Sequence, residues 1–183
     1  GISPEHRAKG AAAYLMSSAL RELYEQEIPL SSLYASTQRL YRKVGYEQAG
    51  NRCYYELPLV SIDLQDRSLP LHQTALSDHK LFHKVAGLRA KFTNGNLDRT
   101  AGLWERVLSF PGKTVYGYVI GEPAEPQGYL IYYQEANPPE PMKLFVRDMA
   151  ALSPAAGRSL WTFLADHRSV VGSVGWYGPA VDP

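Results

Sequence analysis

Nothing in this chain restricts its fold more than the run Gly10-Ala11-Ala12-Ala13, which leads without a break into the amphipathic segment Tyr14 to Gln26. The first turn of a helix carries about four N–H groups without intrahelical partners, and the aligned peptide dipoles add partial positive charge there. A phosphate reaches those groups only where the side chains over the turn are absent or small, and Arg7 and Lys9 add cationic charge beside them. After the turn, Ala12, Leu15, Met16, Ala19, Leu20 and Leu23 recur at helical spacing and predict a buried stripe, with Ser17, Arg21, Glu22 and Glu25 facing water. Ile28-Pro29 cannot continue the helix, which is expected to end near Gln26. A basic residue ahead of Gly and several Ala also begins many ordinary surface helices, so these residues alone leave both readings open.

The segment 29–34 reads as a short buried strand, and 37–46 as a short helix closed by Gly45. Residues 1–57 thus run helix, strand, helix, strand, and 58–71 form an extended connector. In 72–183, helices are expected over 78–91 and 98–107, separated by a turn at 93–96. Strands follow over 113–120, 127–134 and 142–149. A helix starting at Ala155 after Ser153-Pro154 carries Leu160, Trp161 and Leu164 inward, and 170–176 closes the chain as a strand. This is an α+β (mixed α/β) pattern. Tyr116, Tyr118, Tyr132 and Tyr133 read either as sheet core or as the wall of a groove.

Composition removes several function classes. With 183 residues, 45% of them hydrophobic, the chain can bury a substantial core in one or two domains. A formal net charge of +1 provides no field to recruit nucleic acid. The one cysteine, Cys53, precludes an internal disulfide and reads as a small hydrophobe within a strand. His79 and His83 have i, i+4 spacing, but the acid of the metalloprotease pattern and a third ligand are both missing, so no metal is expected. There is no membrane-spanning run or signal peptide in the sequence, which points to a cytoplasmic protein with no membrane partner.

Arg7-Ala8-Lys9-Gly10-Ala11-Ala12 resembles the pyrophosphate motif of the GNAT superfamily of acetyl-coenzyme A dependent N-acetyltransferases, Gln/Arg-x-x-Gly-x-Gly/Ala. Leu40-Tyr41-Arg42-Lys43-Val44-Gly45-Tyr46 resembles its following helix, and together with Leu33-Tyr34-Ala35-Ser36 it is similar to the signature of the Eis (enhanced intracellular survival) type. The resemblance implies a GNAT-type acyl-CoA N-acyltransferase fold, a mixed central sheet flanked by helices, in tandem units. Residues 1–57 would be the C-terminal half of a catalytic unit and 72–183 a second, degenerate one, incomplete at its C-terminus. The implied activity is transfer of an acetyl group from acetyl-CoA to a primary amine of a small molecule or protein. Tyr41 would be the general acid. Arg7, Ala8, Lys9, Gly10, Ala11, Ala12 and Ala13 would hold the diphosphate, Ser36 and Thr37 would contact the cofactor, and Ile2 would offer backbone groups to the pantetheine. The resemblance also implies a homo-oligomer, up to a hexamer.

Each role has an alternative. Tyr41 and Tyr46 also fit core packing, Ser36 and Thr37 a helix N-cap, His6 a solvated histidine, and Arg42 and Lys43 a solvated helix face. In the second block, Ser153-Pro154-Ala155-Ala156-Gly157-Arg158 has its Gly late and no preceding Arg or Lys, so the phosphate cradle is not expected to be repeated there. The chain as a whole reads as part of a longer acetyltransferase, inactive when isolated. The competing reading is a binding or scaffold module with GNAT-like geometry and no chemistry, which would be indifferent to Gly10 and Tyr41.

Overall fold

The computed structural model describes residues 2–6, 9–77 and 79–180. It comprises two compact units, Gly1–Asn51 and Arg52–Pro183.

The first unit carries a 3-10 turn at Pro4–His6 and two helices, α1 (Ala11–Glu25) and α2 (Gln38–Arg42). α1 ends as expected at the Gln26 C-cap, for a local reason. The Glu27 N–H donates to Tyr24 O and the Ile28 N–H to Leu23 O, both at 3.0 Å, with Glu27 left-handed at φ 57°. This is the double hydrogen bond of a Schellman closure, usually completed by Gly, and a side chain there costs about 1 kcal/mol. α2 is closed in the same way, Gly45 donating to Arg42 O and Tyr46 to Tyr41 O at 3.1 Å with Gly45 at φ 98°.

Two expectations for this unit are corrected. The stripe on α1 is not buried: Ala12, Met16, Leu20 and Leu23 are half-buried, and Leu15 and Ala19 are exposed. Residues 29–34 form no strand, and Leu30 is 86% exposed. Both outcomes have one cause. An apolar stripe is buried only against a second packed layer, and a strand forms only beside a hydrogen-bonded neighbour. Among the described residues the unit contains no strand and no buried residue.

The second unit is built on a six-stranded sheet in the order β1-β6-β5-β4-β3-β2: β1 (Cys53–Pro58), β2 (Leu71–Gln73), β3 (Val115–Ile120), β4 (Gly128–Asn137), β5 (Glu140–Ala151) and β6 (Val171–Gly178). Its helices are α3 (Lys80–Ala90), α4 (Ala101–Leu108) and α5 (Pro154–Ala165). These match the expected elements to within a few residues, apart from β2, whose three residues are too few to show alternation; the start proposed at Asp78 lies outside the described residues. β1, read in the sequence as the last strand of the block 1–57, pairs antiparallel with β6 from Cys53 opposite Gly178 to Pro58 opposite Ser173 and falls in the compact unit that starts at Arg52. β5 and β6 are parallel and joined through α5; the other pairings are antiparallel.

β4 is buried at six successive positions, Gly128 to Tyr133, because both faces of the sheet are covered. Leu130 and Tyr132 face a core with Leu144, Val146, Leu160 and Leu164, to which the 3-10 turn Leu59–Ser61 adds Leu59. Tyr129 and Ile131 face Phe82, Val85, Trp104 and Leu108 of α3 and α4. Of the four tyrosines, Tyr132 and Tyr133 are buried and Tyr116 and Tyr118 half-buried against the first core, Tyr132 stacking on both Tyr116 and Tyr118. Leu160 and Leu164 point inward as expected; Trp161 is half-buried, edge-on to Trp176.

Candidate active site

The helices α1 and α5 begin in different ways, and the difference is chemical. Gly10 occupies the N-cap of α1 at φ 79° and ψ −5°, with no side chain to accept from the first turn. A Cβ at Gly10 would meet nothing within 4 Å, so backbone conformation rather than space demands glycine. The Gly10 carbonyl accepts from Tyr14 N at 3.0 Å, which leaves the N–H groups of Ala11, Ala12 and Ala13 ahead of the first intrahelical bond. Three aligned donors, covered by methyl groups and one glycine, are left open at this helix start, the kind of geometry an anion can approach. Lys9 is exposed directly before them. Arg7 and Ala8 lie outside the described residues.

α5, the corresponding helix of the second unit, is closed to an anion. Ser153 is its N-cap, and the Ser153 Oγ accepts from Ala156 N at 3.2 Å. Pro154 brings no N–H, and Gly157 N donates to the Ser153 carbonyl. The serine oxygen thus takes up a first-turn N–H that α1 leaves open. Beside it a cleft of about 480 Å³ remains, where β5 and β6 part after Val146 and Trp176, lined by Arg147, Met149, Ala151, Leu160, Trp161 and Tyr177.

In the first unit Ser36 is exposed, and Thr37 takes the N-cap position of α2 without making a side-chain cap bond. Ile2 is half-buried, one residue before Ser3, whose carbonyl receives the His6 N–H. Tyr41 lies half-buried on α2, its ring edge-on to Tyr46 with centroids 6.2 Å apart. The hydroxyls of Tyr46 and Ser31 share a hydrogen bond of 2.6 Å. That contact has no signal in the sequence, because the partners are fifteen positions apart across a segment read as a strand. Arg42 pairs with Glu47 at 3.0 Å in solvent. The cradle residues and Tyr41 therefore belong to one compact unit, on separate helices.

The histidines 79 and 83 serve the second unit's core. Trp104 is fully buried, and its indole N–H donates to His83 Nδ1 at 3.1 Å, while the His79 ring stacks on the indole face. Nearby, Asp148 accepts from both terminal nitrogens of Arg99 and from the Tyr129 hydroxyl at 2.7 Å. Burial, then the Asp148 charge, pushes the Tyr129 hydroxyl well above its ordinary pKa, so it remains a neutral donor. In β5, Ile131 faces Asp148 and Tyr132 faces Val146, which leaves Arg147 as the extra residue of a bulge. The bulge aims its guanidinium at the last turn of α4, where it donates to Val107 O at 2.6 Å and to Arg106 O. Among the described residues no group of three or more His, Cys, Asp or Glu is placed to hold a metal ion.

Comparison with known proteins finds relatives of the chain. A protein of Streptomyces griseus described as an uncharacterized N-acetyltransferase is 26% identical, over 89% of this chain and 44% of its own length. The crystal structure of a GCN5-related N-acetyltransferase from Anabaena variabilis is 44% identical and superposes with a TM-score of 0.94 over the whole chain, which covers 47% of that protein. Eis1 from Mycobacterium abscessus, at 21% identity and a TM-score of 0.72 over the whole chain and 48% of its own, shares the fold. The chain therefore spans less than half the length of each of these relatives. Two family models, each described as an acetyltransferase (GNAT) domain, match residues 1–49 and 95–183. Between them they take in most of the chain, which belongs to the GNAT acetyltransferase family.

Proposed function

We propose that the full-length protein moves an acetyl group from acetyl-CoA to a primary amine by direct attack, and that residues 1–51 hold the coenzyme and the general acid. The observation that carries this reading is the uncapped start of α1, with Gly10 left-handed and three small residues behind it, in a family whose members are acetyltransferases. Acetyl-CoA supplies an activated thioester. The N–H groups of Ala11, Ala12 and Ala13 hold its diphosphate, with the ammonium of Lys9 and the guanidinium of Arg7 contributing charge. Ser36 and Thr37, whose hydroxyls are not spent on capping α2, contact the coenzyme, and Ile2 offers backbone groups to its pantetheine arm. As the amine nitrogen bonds to the carbonyl carbon and the carbon–sulfur bond breaks, the Tyr41 hydroxyl gives its proton to the departing thiolate sulfur; the proton shed by the nitrogen as it becomes an amide passes to water, and the Tyr41 phenolate takes one back from water to close the cycle.

The second unit holds no coenzyme in this reading, because Ser153 fills its own helix start. It is the degenerate partner of the catalytic unit. The Eis-type character, the cytoplasmic setting and assembly into an oligomer up to a hexamer are proposed on the same resemblance. In the natural full-length protein, Tyr41→Phe is expected to lower kcat by about 10²-fold or more with the KM for acetyl-CoA nearly unchanged. An unchanged kcat would remove Tyr41 from the mechanism, whereas no turnover by the folded parent would favour a scaffold module.

A further inference from the structure

We propose that Tyr46, anchored by Ser31, is the positioning residue for the Tyr41 hydroxyl; this rests on the acetyltransferase reading. Three contacts converge on the pair. The Tyr46 N–H donates to the Tyr41 carbonyl at 3.1 Å, which Gly45 permits by turning left-handed at φ 98°. The Tyr46 ring stands at 77° to the Tyr41 ring with centroids 6.2 Å apart, the edge-to-face arrangement that aromatic pairs prefer. The Tyr46 hydroxyl is held at 2.6 Å by Ser31, which lies in the stretch between α1 and α2.

α2 has five residues and no buried one, so neither length nor core packing fixes its orientation. The Ser31–Tyr46 bond ties the turn that closes α2 to the segment that leaves α1. A phenol acting as an acid must sit within hydrogen-bond reach of the sulfur, and a loosely held ring spends little time there. The bond restricts that motion without touching the reacting atoms.

The test is a double-mutant cycle in the natural full-length protein, with acetyl-CoA and an accepted amine. Tyr46→Phe keeps the ring and loses the bond to Ser31; Ser31→Ala loses the same bond and leaves Tyr46 intact. Each is expected to lower kcat by about five-fold, with the KM for acetyl-CoA unchanged, and Ser31→Thr is expected to restore it. In a Tyr41→Phe background the same substitutions should cost nothing further, since there is no acid left to position. Equal losses with and without Tyr41, or no loss in either variant while Tyr41→Phe is impaired, would overturn the positioning role alone. A Tyr41→Phe enzyme with full kcat would overturn the acid assignment and this proposal with it. Should Tyr46→Phe fail to fold, Ser31→Ala and Ser31→Thr decide the matter.

Discussion

Asp148 shows how single residues hold the second unit. Its carboxylate neutralises Arg99, which also lies over the Trp104 ring at 4.8 Å, and accepts from the buried Tyr129 hydroxyl. Asp148→Ala leaves a half-buried guanidinium and a buried phenol without their acceptor, and is expected to cost about 2–3 kcal/mol in urea unfolding. A loss under about 0.5 kcal/mol would mean that water or a neighbour replaces the carboxylate. None of this was legible in the sequence, where Arg99 and Asp148 stand forty-nine positions apart. Gly45 was legible as the left-handed residue that closes a helix, and Gly10 as a small residue at a helix start, although its own left-handed conformation was not. Glu27 was not, since a left-handed glutamate carries no compositional mark. Glu27→Gly is expected to stabilise the C-terminal turn of α1 by about 0.5–1 kcal/mol, read as slower amide exchange there.

At the scale of elements, the two helix starts make opposite predictions. Ser153→Ala removes the cap of α5 and is expected to lower stability by about 1 kcal/mol in thermal or urea unfolding. The opposite substitution at α1, Gly10→Ser, adds a side chain to a left-handed residue and should weaken coenzyme binding. The connector between β1 and β2 is strapped to α5 by buried polar groups: Asp66 N donates to Thr162 Oγ1 at 2.9 Å and Leu69 N to Ser159 Oγ at 3.4 Å. Ser159 and Thr162 are the two buried polar residues among the described residues of the second unit, and the strap is what keeps them satisfied. Ser68 and Arg158 hold the Asp66 carboxyl down from 3.8 to about 2. A carboxyl depressed on folding contributes stability above its unfolded value and loses it as pH falls through the folded one. The strap should therefore weaken between about pH 3.8 and 2, and Asp66→Asn should remove that part of the acid sensitivity of the urea midpoint. An identical acid response in Asp66→Asn would place the sensitivity elsewhere.

Across the whole molecule the two units differ in how much they bury. The sheet of the second unit was legible from its aromatic, β-prone runs and the turn residues at 121–126 and 137–141 that bound them, because a sheet covered on both faces leaves a strong hydrophobic record. The parallel register of β5 and β6 and the partnership of β1 with β6 were not, since pairing is a property of distant segments. In the first unit the helical periods were read correctly and the burial was not, because periodicity reports which face is apolar and says nothing of what covers it. The described residues of that unit include no buried side chain, whereas β4 is enclosed on both faces. In this chain taken alone, amides of α1 and α2 should exchange at least about 10²-fold faster than those of β4 and β5. Equal protection would show that the first unit has a core of its own. The coenzyme reading stands or falls on titration calorimetry of acetyl-CoA into the natural full-length protein, alongside its Gly10→Glu variant. Saturable binding lost on placing a carboxylate over Ala11–Ala13 is the expected result; no binding to the folded parent, or equal binding to the variant, would contradict it.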